Sequence, residues 1–159
     1  MLRKTSIRIE KVLREIEKAG CVTSSALMER LRIGHSELFY VLHMLRREGR
    51  VAPASLGRVS LWCASRAAAE EVLAKLAEAL KTLLCRRGRF ATPKGALKHV
   101  AEDKEARGLF TRHMTLRPNP ATLQIIDALM ERAFGEPIRS SRVRIYHIRC
   151  AAAEKRGYS

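Results

Sequence analysis

The stretch that decides the fold is residues 36–51, Ser-Glu-Leu-Phe-Tyr-Val-Leu-His-Met-Leu-Arg-Arg-Glu-Gly-Arg-Val. Its apolar residues Leu38, Val41, Leu42 and Leu45 recur at spacings of three and four, which predicts an amphipathic helix over 36–48. Gly49 follows as a typical helix terminator. One face of this helix is therefore expected to be buried, and the opposite face is left for solvent or a partner.

Working outward, two helices are predicted before this one and a hairpin after it. Residues 7–19 carry apolar side chains at helical spacing and end at Gly20. A short extended piece, Cys21-Val22, precedes a second helix that begins at Thr23 or Ser24 and ends near Ile33-Gly34. After residue 51, a turn through residues 54–57 leads into the alternating run 58–63. The predicted order is three helices followed by a β-hairpin.

Two segments of residues 7–64 resemble the winged helix-turn-helix family, and in particular archaeal-type transcription regulators. Residues 26–33, Ala-Leu-Met-Glu-Arg-Leu-Arg-Ile, resemble the supporting helix and turn, and residues 38–51 resemble the recognition helix leading into the first wing strand. The sequence departs from the family at Arg32, where the turn often has Gly, and at Gly34-His35, where a Ser or Thr cap is usual. The resemblance implies a recognition helix in the major groove of DNA and a wing on its flank.

The residues expected to contact DNA follow from the face opposite the apolar stripe. In the predicted third helix they are Ser36, Tyr40, His43 and Arg47, with His35 at the margin. The wing adds Arg58, which suits a phosphate or minor-groove contact. Packing of Tyr40 against later helices is the alternative for that residue, and Trp62 is expected to lie in the core.

The charge of the chain favours the same class of partner. Among 159 residues there are 31 Lys and Arg against 16 Asp and Glu, a formal charge of +15. At 47% hydrophobic residues the chain can still bury a core, so the excess points to a folded protein with a polyanionic partner, nucleic acid first. The excess continues through the second half, which predicts a footprint larger than one winged helix.

Other classes of protein find little support in the sequence. The longest stretch without Lys, Arg, Asp or Glu has ten residues, 19–28, too short to cross a membrane, and no signal peptide is recognisable. Cys-x2-Cys zinc spacing, phosphate-binding loops and catalytic motifs are absent, so no enzyme, metal or cofactor is expected. The five histidines are interpreted as surface or DNA-facing residues. A cytoplasmic, nucleoid-associated protein is expected.

Residues 66–90 are predicted to form a linking helix between a winged-helix domain at 1–65 and a basic domain at 91–159. Leu73, Leu76, Leu80 and Leu83 form a two-heptad seam on it. The seam predicts a homodimer, and the alternative is that the leucines pack within their own chain. The fold class is accordingly mainly α with small β-hairpins.

For residues 91–159, helices are predicted near 93–105, 107–115 and 120–134, and a strand at 142–148. Gly135, Pro137, Arg142-Val143 and Cys150 follow the third of these helices much as Gly49, Pro53, Arg58-Val59 and Cys63 follow the helix at 36–48. The region is therefore either a second, degenerate winged helix or a helical cap with one strand.

The carboxy-terminal segment offers an alternative nucleic-acid site. Between residues 139 and 156 there are six cations and one acid, and on a strand Arg142, Arg144 and Tyr146 share a face. Such a strip suits single-stranded DNA or RNA, although a strand edge guarded by charges gives the same pattern. A third possibility is a winged-helix subunit of a transcription, replication or chromatin assembly.

The cysteines complete the expectations. In a winged helix, Cys21 would lie in the strand that pairs beside the wing, which makes a disulfide with Cys63 a hypothesis. Of the 31 cations 22 are Arg, and the chain holds one Asn and one Gln, which fits a hyperthermophile or a GC-rich genome. Disulfides inside cells are rare except in hyperthermophiles.

Overall fold

The structure is a computed structural model that describes the backbone of residues 2–140 and 142–150 and the side chains of residues 8–138 and 142–150. The helices in this part of the chain are α1 (Leu2–Ala19), α2 (Ser24–Leu31), α3 (His35–Arg47), α4 (Arg66–Leu84), α5 (Pro93–Glu102), α6 (Lys104–Phe110) and α7 (Pro120–Phe134). The strands are β1 (Cys21–Thr23), β2 (Ala52–Leu56), β3 (Val59–Cys63), β4 (Phe90–Ala91), β5 (Ile138–Ser140) and β6 (Val143–His147). The expected mainly α fold with small hairpins is confirmed.

The described chain divides into two compact units. The first contains residues up to 72 together with 111–115, and the second contains the remaining described residues. The boundary falls inside α4, so this helix contributes residues to both units.

The first unit packs α1, α2 and α3 around one core, with Ile16, Leu27, Leu42 and Trp62 among its buried residues. Its sheet has the strand order β1-β3-β2, all antiparallel. Thr23 begins α2 by accepting a hydrogen bond from the Ala26 amide at 3.2 Å, which satisfies an amide at the helix start. Three helices precede the β2–β3 hairpin, as the sequence predicts.

The second unit has a similar order with one additional helix. The short strand β4, the helices α5 and α6, the longer helix α7 and the β5–β6 hairpin follow one another, whereas only α2 lies between β1 and α3 in the first unit. The sheet order is β4-β6-β5. Thr92 and Asn119 cap α5 and α7 through their side chains, and a proline occupies the start of each helix. The buried positions Leu38, Val41, Leu42 and Leu45 of α3 match the buried positions Thr122, Ile125, Ile126 and Leu129 of α7 in spacing.

The leucine seam of α4 is buried within the single chain. Leu73, Leu76, Leu80 and Leu83 are each less than a tenth exposed. The expectation that these leucines form a dimer interface is therefore wrong, because side chains already buried within one chain present no apolar seam to a partner. Their heptad spacing reflects packing inside the chain.

Each unit contains a disulfide bond that joins its first and last strand regions. Cys21 of β1 is bonded to Cys63, which lies directly opposite it on β3. Cys85, which precedes β4, is bonded to Cys150, which follows β6. The hypothesised Cys21–Cys63 bond is present, and the Cys85–Cys150 bond is one that the sequence does not predict.

Residues 111–115 belong to the first unit because they hydrogen-bond to β1. The Thr23 amide donates to the carbonyl of His113 at 2.8 Å, and Nδ1 of His113 lies 2.7 Å from the carbonyl oxygen of Cys21. Since a carbonyl only accepts, the proton of this ring nitrogen points at Cys21. His113 is buried, which corrects its interpretation as a surface or DNA-facing residue.

Candidate nucleic-acid interface

The two faces of α3 differ as the sequence predicts. Leu38, Val41, Leu42 and Leu45 are buried, and the helix presents the opposite side to solvent. The candidate residues exposed on that side are His35, Ser36, Tyr40, His43 and Arg47. Tyr40 is 59% exposed, so its side chain is not buried within the described part of the chain.

The turn before α3 holds both departures from the winged helix-turn-helix pattern. Arg32 has a φ of 53° and a ψ of 47°, the left-handed conformation that normally favours Gly. Gly34 begins α3 without a side-chain cap, since it has no oxygen to offer. The Ile33 amide donates to the Met28 carbonyl at 3.3 Å and closes the turn.

Aromatic contacts fix α3 against the hairpin. The ring centroids of Phe39 and Trp62 lie 6.4 Å apart at 81°, and those of His43 and Trp62 lie 6.5 Å apart at 83°. Trp62 is buried, as expected. His43 therefore combines an exposed ring with a fixed position beside the base of the hairpin, which holds it ready for a directed contact.

The acidic residue beside the exposed face is paired. Arg8 of α1 contacts Glu37 at 2.9 Å. Arg50, beyond the helix end, contacts Glu10 at 3.4 Å and Glu48 at 3.8 Å. Among the residues that the structure describes, no acidic group lies within ion-pair distance of Arg47, so this guanidinium is accessible to an anion.

Arg58 lies at the tip of the first hairpin. Gly57, with a φ of 67°, and Arg58 form the turn between β2 and β3, and Arg58 is exposed. The structure thus places the wing candidate at the end of a short two-stranded projection.

The carboxy-terminal strip is not formed as expected. Tyr146 is fully buried, and its hydroxyl donates to the Asp127 carboxylate at 2.6 Å. Arg144 contacts Asp127 at 3.2 Å and Glu131 at 2.6 Å. A buried ring cannot stack on a base and a doubly paired guanidinium is already neutralised, so both assignments are corrected.

The remainder of that strip is described only in part. Arg142 stays exposed. Lys155 and Arg156, counted among the basic residues of this segment, lie outside the described residues.

The helix α7 lacks the features of α3. At the positions that match His43 and Arg47, it carries Asp127 and Glu131, both bound by Arg144. Two carboxylates would repel a phosphate backbone. The similar order of elements therefore does not repeat the candidate interface.

Nowhere in the described ranges do three or more His, Cys, Asp or Glu side chains come together in a way that could hold a metal ion. None of the described helices is both long and apolar enough to cross a membrane.

Comparison with known proteins finds a similar solved structure. No family model matches the chain, and no curated protein matches it. The crystal structure of the hypothetical protein PyrSV_gp04 from Pyrobaculum spherical virus is similar, with a TM-score of 0.86 over 92% of this chain and 96% of that one. The two sequences are 22% identical, so the likeness establishes a shared fold.

Proposed function

We propose that this protein binds double-stranded DNA through α3, as a winged-helix transcriptional regulator. The observation that carries the proposal is the exposed face of α3, on which Tyr40, His43 and Arg47 project from a helix whose other face is anchored in the core. A rigid helix with a polar, cationic outer face suits the major groove, which is wide enough to admit an α-helix.

In the proposed mechanism, some contacts attract DNA of any sequence and others distinguish between bases. The net charge of +15 draws the chain to the phosphates and makes binding depend on salt. Arg47 contacts a guanine edge, and Ser36 and His43 donate to bases or to the backbone. Arg58 holds the flanking phosphates or the minor groove and adds affinity for every sequence alike.

The cellular setting is part of the proposal. The two disulfides of the protein and its low content of Asn and Gln fit a cytoplasmic protein of a hyperthermophile, because disulfides persist inside the cells of such organisms. The similar virus protein comes from a source named for Pyrobaculum. A homodimer on paired half-sites remains part of the proposal, through a surface other than the leucines of α4.

The test is a titration of a fluorescent 24-base-pair duplex by anisotropy at several salt concentrations. We expect the logarithm of affinity to fall linearly with the logarithm of salt, and Tyr40→Ala to weaken binding. Lys75→Ala, an exposed change on α4, is the matched control and should have little effect. Affinity that is insensitive to salt, or equal for the two variants, would contradict the proposal and favour a protein-binding assembly subunit.

A further inference from the structure

The outer face of the second sheet carries an exposed aromatic pair. Phe90 of β4 lies directly opposite His147 of β6, and their rings are stacked with centroids 5.3 Å apart at 30°. Phe90 is 59% exposed and His147 is also exposed. The phenyl ring therefore has a face that is open to a further planar group.

Apolar side chains continue this face along the sheet. Alternation along β6 turns Arg144 and Tyr146 toward α7 and leaves Val143, Ile145 and His147 on the outer side. Ile138 lies opposite Ile145 and so shares that side. Phe90, Ile138 and Val143 are each about half exposed. Contiguous exposed apolar surface of this kind marks an interaction site.

The corresponding face of the first unit's sheet is less exposed, although the two sheets have a similar arrangement of strands. On this face, Cys21, Thr23, Leu61 and Cys63 are buried, and Ala54, Leu56 and Val59 are half-buried. The outer face of the second sheet differs because it is left uncovered within the described chain.

Arginines lie close to the aromatic pair in the sequence. No Asp or Glu occurs in residues 79–101 or 137–153. The Cys85–Cys150 bond and the hydrogen bond from the Ile148 amide to the Arg89 carbonyl, 2.8 Å long, join the segments that enter and leave this end of the sheet. The exposed cations on these two segments are Arg86, Arg87, Arg89 and Arg149.

We propose that the outer face of the second sheet binds unpaired bases of a single-stranded nucleic acid. One base stacks on Phe90, neighbouring bases lie on Ile145 and Val143, and the arginines bind phosphates, the combination of aromatic platform and cationic groove that single strands require. A second copy of this chain is disfavoured as the occupant because it would bring the same positive charge. The site is separate from α3 and does not depend on the duplex-binding proposal.

The experiment uses the Phe90→Trp variant and unlabelled dT15 oligonucleotide, and the readout is the fluorescence of the indole. A base stacked on the new indole should quench it, whereas Trp62 is buried and gives only the background measured in the wild type. Lys104→Trp is the matched control, since it places an exposed indole on α6, which is not part of this face. We expect strong quenching at residue 90 and weaker quenching at residue 104.

Affinity provides the second measurement, with labelled dT15 and anisotropy. Phe90→Ala should weaken binding about tenfold, the size of effect that loss of one stacked base produces. Arg87→Ala should lower the salt slope by about 0.7, while Lys104→Ala on α6 should not. Binding of a blunt duplex should be unchanged by Phe90→Ala, which separates this site from α3.

Three outcomes would overturn the proposal. One is quenching of residue 90 no greater than that of residue 104. Another is equal affinity of Phe90→Ala and the wild type for dT15. The third is a shift to dimers in sedimentation that Phe90→Ala abolishes, which would make this face an interface between copies of the chain.

Discussion

The hydroxyl of Tyr146 donates a hydrogen bond of 2.6 Å to the carboxylate of Asp127, and the same hydroxyl lies 3.2 Å from the Asp127 carbonyl. This contact joins β6 to α7. Arg144, two residues earlier on the same side of the strand, contacts the same carboxylate at 3.2 Å. The pair therefore decides which face of β6 points inward, and with it which residues remain available to a ligand.

Tyr146→Phe should lower the free energy of unfolding by about 1–2 kcal/mol, because it removes a hydrogen bond to a charged acceptor from a buried position. Guanidinium denaturation followed by circular dichroism measures the change. Tyr40→Phe is the control, and since Tyr40 is exposed it should leave stability unchanged. Binding of dT15 should be the same in Tyr146→Phe and the wild type. A selective loss of dT15 binding would mean that the tyrosine contacts nucleic acid after all.

Stability should fall at high pH through the same residue. Burial raises the pKa of Tyr146 above its ordinary value, and the hydrogen bond to Asp127 raises it further. The folded state thus favours the neutral phenol, so the stabilisation is complete below about pH 10, the ordinary pKa of tyrosine, and is lost as pH rises above it. The stability difference between the wild type and Tyr146→Phe, measured from pH 8 to 11.5, should shrink above pH 10. A difference that stays constant would contradict this linkage.

Both disulfides should stabilise the protein to a similar degree. The bonds close loops with sequence separations of 42 and 65 residues, for which loop-closure entropy gives about 4 kcal/mol each. Cys21→Ser with Cys63→Ser, and separately Cys85→Ser with Cys150→Ser, should each lower the denaturation midpoint. Thiol titration of the unreduced, denatured wild type should find no free thiol. Detection of four free thiols would show that neither disulfide bond is present.

Arg32→Gly should raise the free energy of unfolding by about 1 kcal/mol. The left-handed conformation of Arg32 is strained for a residue with a Cβ atom and relaxed for Gly. Arg32→Ala is the matched control, because it removes the same charge while keeping the Cβ atom, and it should give no such gain. Equal thermal midpoints for the Gly and Ala variants would show that the backbone is not strained at this turn.

The first half of the fold was predictable because local signals agree with one another. The apolar stripe of α3, its end at Gly49, the capping residue Thr23 and the alternation of 58–63 all indicate the same arrangement. Pro93 and Pro120 likewise predict where α5 and α7 begin. These signals act over one or two helical turns, so a single sequence carries them.

The predictions that the structure corrects depend on contacts between residues far apart in the sequence, which a local pattern does not reveal. Alternation along β6 groups Arg144 with Tyr146 but does not reveal which side faces α7, and that choice depends on Asp127, about twenty residues away. Heptad spacing in α4 is the same whether its leucines pack within one chain or between two. The sequence does not single out Phe90 as a binding residue, because β4 has only two residues and the exposure of Phe90 depends on its pairing with His147.

The central claim, that α3 reads duplex DNA, is tested most directly by one ratio. This ratio is the affinity for a duplex obtained by binding-site selection divided by the affinity for its scrambled sequence, measured at a fixed salt concentration. Arg47→Ala should reduce the ratio by about 5- to 150-fold, corresponding to about 1–3 kcal/mol of base discrimination. Arg58→Ala should leave the ratio unchanged while weakening both duplexes and lowering the salt slope by about 1. A ratio that is the same in the wild type and in Arg47→Ala would contradict the claim.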